Sequence, residues 1–88
     1  MGLAPNPSSG RVNLAFSLRE PASVSFDVLD MAGRVVNRIT SQRWEAGTWS
    51  VGWDGRRSQG TEAPPGIYFV QMRVDGRPIG LSRLALIR

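Results

Sequence analysis

Hydrophobic and polar residues alternate in two consecutive stretches near the start of the chain. Between positions 12 and 18 the apolar residues are Val12, Leu14, Phe16 and Leu18, and those between them are small or polar. Positions 24 to 28 repeat the pattern with Val, Phe and Val on one side. A period of two is typical of strands that bury one face. The pattern therefore predicts two strands, with Asp27 on the solvent side of the second.

Two short sequences predict tight turns between strands. The first runs from Asp30 to Gly33, because Asp favours the first position of a turn and Gly tolerates the positive φ of the last. It predicts a hairpin into a third strand over residues 34–40, whose register the pattern leaves open. The second is Asp75-Gly76, which is typical of a two-residue type I′ turn. The fifth and sixth predicted strands lie on either side of it.

The remaining strands are predicted from apolar residues that share a face. Trp49, Val51 and Trp53 predict a short, strongly buried fourth strand, and residues 67–74 alternate cleanly. Residues 79–87 also fit a helical stripe, but the preceding turn and two helix-breaking residues favour a strand. No other window favours a helix.

The length of 88 residues allows one domain. We expect residues 1–4 to be a start or linker and residues 5–88 to form the domain proper, excised from a longer protein. Ten glycines and six prolines punctuate the chain at short intervals. Together with the strand pattern they predict an all-β fold, an antiparallel β-sandwich of about seven strands of the immunoglobulin-like or fibronectin-III-like type.

Composition excludes several kinds of chemistry. The chain has no cysteine and no histidine, which removes thiol nucleophiles, Ser-His pairs, disulfides and the usual zinc sites. No apolar run approaches the roughly 20 residues of a membrane helix, so we expect no membrane insertion. The net charge of +4 is spread along the chain without a basic cluster, and we expect no nucleic-acid binding.

The seven carboxylates do not predict a catalytic centre. Asp30, Asp54 and Asp75 are explained by turns, so we expect no catalytic residue, no bound cofactor and no metal site. Calcium bound by loops at the ends of the sandwich stays open as an alternative. Trp44 is the least constrained of the three indoles and is the candidate platform for stacking on a sugar.

An ordered set of motif residues resembles two related families. The set is Asn6-Pro7-x-x-Gly10, Asp30-x-x-Gly33-Arg34, Gly47, Trp53-Asp54-Gly55 with Gly60, Gly66-Ile67-Tyr68 and the terminal Leu84-Ala85-Leu86-Ile87-Arg88. It resembles the type A C-terminal sorting domains of the type IX secretion system. It is also similar to the immunoglobulin-like domain of the flagellar hook-capping protein.

The sorting resemblance implies a domain that directs a larger cargo through the outer membrane. Its partners would be the secretion translocon, a sortase-like protease and the cargo domains N-terminal to it. The protein would pass through the periplasm to the cell surface or be secreted. Arg83 and Arg88 stand where that family commonly carries lysine, and we expect segment 5–10 and the last strand to contact partners.

Two alternatives use the same residues differently. The domain could be a structural immunoglobulin-like module of a hook-capping or multidomain extracellular protein, or it could be a carbohydrate-binding module. The motif residues can each be explained as turn or corner residues of a sandwich, so they do not decide between these functions. The sequence leaves the oligomeric state open.

Overall fold

Each stretch of alternating residues forms a strand in the computed structural model, which describes residues 1–88. The strands are β1 Gly2–Ala4, β2 Val12–Leu18, β3 Ala22–Leu29, β4 Val35–Trp44, β5 Gly47–Trp53, β6 Gly66–Val74 and β7 Arg77–Leu86. The tail that could have been a helix is therefore a strand. The structure offers no helix of the length and apolarity that a membrane span requires.

The seven strands form two antiparallel sheets. One sheet has three strands in the order β1-β2-β5, and the other has four in the order β4-β3-β6-β7. Two antiparallel sheets packed face to face bury the apolar side of every strand between them. This architecture confirms the predicted all-β immunoglobulin-like sandwich.

The core lies between the sheets and is built from the residues that the alternation places inside. Phe16 of β2 meets Phe26 of β3 edge to face, with ring centroids 5.4 Å apart. The thirteen buried core residues are Val12, Leu14, Phe16, Val24, Phe26, Val28, Trp53, Ala63, Tyr68, Val70, Met72, Leu84 and Leu86. Such a core supplies most of the stability of a small domain.

Both predicted turns are present. The N–H of Gly33 donates to the C=O of Asp30 at 2.9 Å, and Gly33 has a φ of 81°. This is a type I turn followed by a left-handed residue, one of the common hairpin loops. Asp75 and Gly76 have φ values of 50° and 82°, as a type I′ turn requires.

Three local predictions were wrong or incomplete. The pattern missed β1, which pairs with β2 through Leu3 and Leu14. The strand β5 is not strongly buried, because it lies at the edge of its sheet: Trp53 is 1% exposed but Trp49 is 36% exposed. Asp27 does not face solvent freely and is only 2% exposed.

Candidate functional site

The N-terminal segment and the last strand meet in one cluster, which we call the terminal junction. It comprises residues 6–10, 54–56, 62–63 and 83–88. At its edge the Asn6 side-chain amide donates to the C=O of Arg83 at 2.8 Å and accepts from the N–H of Ala85 at 3.1 Å. The single Asn6 side chain thus pairs with the free edge of β7 much as a strand residue would.

Ser8 continues this pairing with its backbone. Its N–H donates to the C=O of Ala85 at 2.9 Å, and its C=O accepts from the N–H of Ile87 at 2.7 Å. The hydroxyl donates to the C=O of Arg11 and accepts from the N–H of Gly10, which closes the loop behind it. Ser8 is 2% exposed, so every polar group it brings into the interior is paired.

Sequence reasoning missed Ser8. A serine two residues before a glycine in a proline-rich segment is a weak sign of a hydroxyl that caps a local turn. That sign does not separate Ser8 from the neighbouring Ser9, which has the same chemistry. The distinction comes from tertiary pairing with β7.

The Arg88 guanidinium ties the other side of the terminal junction together. Its Nε donates to the C=O of Ala63 at 2.8 Å, and one Nη donates to the C=O of Gly55. Glu62 lies 3.6 Å away with a largely exposed side chain. A guanidinium can bond several carbonyls at once because its donors form a rigid planar fork.

Gly55 is the point of closest approach in the terminal junction. Its φ is 76°, in the left-handed region that favours glycine. A Cβ added there would lie 2.8 Å from the carbonyl oxygen of Gly10 and 2.8 Å from the Arg88 guanidinium. No larger residue fits without displacing backbone.

The Trp53-Asp54-Gly55 turn positions Gly55. The indole N–H of Trp53 donates to the C=O of Arg56 at 2.9 Å, and the Asp54 carboxylate accepts from the N–H of Arg56 at 3.1 Å. The Trp53 ring also packs edge to face on Tyr68 at 6.0 Å. The turn is therefore anchored by one buried aromatic residue and one carboxylate.

Tyr68 forms a second corner at the start of β6. Its hydroxyl donates to the C=O of Pro64, four residues upstream. This backbone contact is the tyrosine corner that marks many immunoglobulin-like sandwiches. Burial raises the pKa of the Tyr68 phenol above its usual value. Gly66 begins the strand with a φ of 152°, and nothing lies within 4 Å of the place where its Cβ would be.

Asp30 caps the β3–β4 hairpin, away from the terminal junction. Its carboxylate accepts from the backbone N–H of Arg34 at 3.0 Å, from the N–H of Ala32 at 2.9 Å and from the Arg34 guanidinium at 3.0 Å. The hydrogen bond from the Arg34 N–H, helped by the other two donors, lowers the pKa of Asp30 below its usual value.

The family comparison agrees with this geometry. The family model described as the FlgD Ig-like domain matches residues 5–77 of the chain. The chain belongs to the FlgD Ig-like domain family.

Two solved structures are similar to the chain. FlgD from P. aeruginosa is 32% identical, with a TM-score of 0.64 over 94% of this chain and 69% of its own. The alkylpurine DNA glycosylase AlkC of Pseudomonas fluorescens, solved bound to DNA containing an abasic site analog, has a TM-score of 0.66. It is 18% identical over 98% of this chain and 28% of its own, which shows a shared fold alone. No curated protein sequence matches the chain significantly.

The FlgD Ig-like match stops at the first residue of β7. The terminal junction therefore joins residues inside the matched region, such as Asn6 and Gly55, to residues 83–88 outside it. The wider alignment to the P. aeruginosa FlgD structure covers 94% of the chain.

The structure brings some of the predicted motif residues together and separates others. Asn6, Gly10, Gly55 and Arg88 meet at the terminal junction, with Pro7 between Asn6 and Ser8 in a cis peptide bond. Residues Leu84 and Leu86 are 0% and 2% exposed and belong to the core. Arg83 lies on the outer face of β7, opposite Phe69 of β6. Asp30 and Gly33 form the separate β3–β4 turn.

Trp44, the candidate sugar platform, packs against two other aromatic rings. It is half-buried, with its ring 5.3 Å from Phe16 edge to face and 5.3 Å from Trp49. Its indole N–H is buried and has no hydrogen-bond partner, whereas that of Trp49 donates to the C=O of Glu45 at 2.8 Å. Packing on other aromatics leaves less of the Trp44 ring for stacking on a sugar.

No three histidine, cysteine, aspartate or glutamate side chains lie close enough to hold a metal ion. The one buried carboxylate, Asp27, is engaged by two arginines. It accepts from Arg38 at 2.7 Å and from Arg73 at 3.2 Å. The contact with Asp27 raises the pKa of Arg38.

Proposed function

We propose that the chain is a non-catalytic immunoglobulin-like module that serves a structural role in a larger exported protein of the FlgD type. The observation that carries the proposal is membership of the FlgD Ig-like family, with 32% identity to P. aeruginosa FlgD over 94% of the chain. A structural module needs a rigid frame and an accessible surface, and it needs no reacting groups.

The use of the motif residues supports this role. The side chains of Asn6, Trp53 and Arg88 bond to backbone groups of the domain itself. Residues that satisfy their hydrogen bonds internally hold a fold in shape and are not poised for chemistry. On this proposal the partners are the other domains and subunits of the assembly.

A domain exchange tests the proposal. Residues 5–88 replace the Ig-like domain of FlgD in a flagellated bacterium that lacks its own FlgD, and swimming in soft agar and hook formation are measured. We expect a secreted chimera that restores hooks, since the module supplies the same frame. A chimera that is stable and secreted but forms no hooks contradicts a FlgD-type role.

A second candidate is a type IX sorting domain. The observation that favours it is the pairing of segment 6–8 with residues 83–87, which joins both motif ends into one unit. On this candidate the domain passes through the periplasm to the cell surface, and its partners are the translocon, a sortase-like protease and N-terminal cargo domains.

A reporter fusion distinguishes the two candidates. Leu3–Arg88 is fused to a fluorescent protein with a signal peptide in a bacterium with an active type IX system, beside a fusion that lacks residues 81–88. Surface display that is lost on truncation supports sorting. A stable fusion that stays in the periplasm supports the structural module.

A further inference from the structure

Three apolar residues form a row across the outer face of the four-stranded sheet, and the row ends at Arg83. Val35 of β4 pairs with Leu29 of β3, Leu29 pairs with Phe69 of β6, and Phe69 pairs with Arg83 of β7. Directly paired residues in neighbouring strands lie on the same face of a sheet. Since the alternate residues of these strands fill the core, the row faces outward and is open to solvent.

A hollow of about 200 Å³ lies beside this row. Its apolar walls are Leu29, Met31, Phe69 and Leu81. Met31 is 71% exposed and Leu81 is 60% exposed, although both are large apolar side chains. Scattered exposed apolar residues are normal, but a group that lines one hollow beside a sheet edge is typical of an interaction site.

The adjacent edge of β7 is closed at one end and open at the other. Segment 6–8 occupies the edge at Arg83 C=O, Ala85 and Ile87. In an antiparallel ladder the backbone groups of alternate residues point to the same side, so the N–H and C=O of Leu81 and the N–H of Arg83 point to this edge too. No strand pairs with β7 there. Unpaired groups of this kind accept an added strand.

The charges on this face favour binding of an acidic partner. Seven charged residues lie on or beside it: Arg34, Arg38, Arg43, Arg73, Arg83, Asp27 and Asp30. Both carboxylates are already engaged, Asp27 by two arginines and Asp30 by Arg34. Arg83 has no carboxylate partner. The face therefore offers cationic donors and no free acid.

We propose that the open edge of β7, from Ile79 to Arg83, accepts an extended acidic and apolar segment of a partner protein as a fifth strand of the sheet. Apolar side chains of that segment fill the hollow at Leu81 and Phe69, and its carboxylates pair with Arg83. The inference rests on the proposed structural role and names the chemistry of the partner. It does not depend on which assembly carries the domain.

The probe is a blocked seven-residue peptide with valine at its second and fourth positions, glutamate at its sixth and threonine elsewhere, so that the valines and the glutamate lie on one face of the added strand. It is titrated into the isotope-labelled chain and followed by NMR. We expect chemical-shift changes along residues 79–83 and slower amide exchange at Leu81 and Arg83. The same peptide with N-methylated backbone on its pairing side should bind about fivefold more weakly for each hydrogen bond lost.

Two exposed substitutions test the side-chain part. Leu81→Ser should weaken binding, and Arg83→Glu should reverse the preference from the glutamate peptide to its lysine counterpart. Arg57→Glu is the matched charge control, because its loop lies against β4 at the opposite edge of the sheet, where the N–H of Ser58 bonds to Val36. This control should bind the probe as the unchanged chain does.

Three results overturn the proposal. They are no shifts at millimolar peptide, shifts confined to other regions, and equal weakening by Arg57→Glu and Arg83→Glu. Sedimentation velocity on the chain alone adds a further outcome: concentration-dependent dimers with protected Leu81 would make a second copy the occupant and refute an acidic partner. Hook formation by the FlgD chimera is scored separately, so the two proposals fail independently.

Discussion

Replacing Gly55 with alanine should damage the fold more than replacing another glycine with the same backbone conformation. Gly55 and Gly33 have φ values of 76° and 81°, so an alanine carries a similar conformational strain at both sites. That strain is about 1–2 kcal/mol. The surroundings differ, because nothing lies within 4 Å of a Cβ at Gly33.

The extra cost at Gly55 comes from contacts. A Cβ there would be 2.8 Å from the backbone oxygen of Gly10 and 2.8 Å from the Arg88 guanidinium. The guanidinium can move, but the Gly10 carbonyl moves only with its backbone. Overpacking of this kind costs about 1–3 kcal/mol. We therefore expect Gly55→Ala to lose about 2–5 kcal/mol and Gly33→Ala about 1–2 kcal/mol.

Urea denaturation followed by tryptophan fluorescence measures both variants. With a slope of about 1 kcal/mol per molar urea for a small domain, the midpoint should fall by about 2 M or more for Gly55→Ala and by about 1–2 M for Gly33→Ala. Equal losses in the two variants, within about 0.5 kcal/mol, would show that the close approach of segment 54–56 to Gly10 carries no energy.

Three further predictions concern pH and the last strand. Tyr68 is the only tyrosine of the chain, which has no cysteine, histidine or lysine to compete with it in the alkaline range. Its raised pKa contributes stability that is present below pH 10.0, the unfolded value, and is lost as the pH rises through the folded value. Chemical denaturation should therefore show that the unfolding free energy declines at alkaline pH, and Tyr68→Phe should remove this decline. The lowered pKa of Asp30 contributes stability that is present above its unfolded value of 3.8 and is lost as the pH falls through the folded value. Asp30→Asn should keep the hydrogen bonds from the backbone N–H groups of the turn, and thermal melts of this variant should lose less stability in acid. Leu84→Ala should cost about 2–5 kcal/mol of unfolding free energy because Leu84 is 0% exposed. Arg83→Ala should change the unfolding free energy by no more than about 0.5 kcal/mol. A larger loss for Arg83→Ala than for Leu84→Ala in urea denaturation would refute the placement of β7.

The alternation of apolar residues was sufficient to predict most of the strands. Val12 to Leu18 reads as a strand without knowledge of its partners, because each buried side chain is two residues from the next. The turns at Gly33 and Gly76 were equally predictable, since few residues adopt a positive φ. Local chemistry decides both features, so a single sequence contains enough information.

The edges of the sheets were not predictable in the same way. The alternating pattern predicts that Trp49 is a core residue. However, β5 has no neighbouring strand on one side, and Trp49 stays partly exposed. The same pattern predicts that Asp27 faces solvent, but Arg38 and Arg73 from two other strands cover it. Strand order determines both outcomes, and periodicity within one strand carries no information on strand order.

The two ends of β7 show how one strand can serve both the fold and a partner. Near its C-terminal end, Asn6 and Ser8 satisfy the edge from within the chain, which protects it from unwanted pairing. Near Leu81 the edge stays open and its apolar side chain is exposed. A domain that only needed stability would gain from covering Leu81, because burial of a leucine contributes about 1.5–3 kcal/mol. The proposed partner strand would provide that cover, and the terminal junction confines its pairing to residues 79–83.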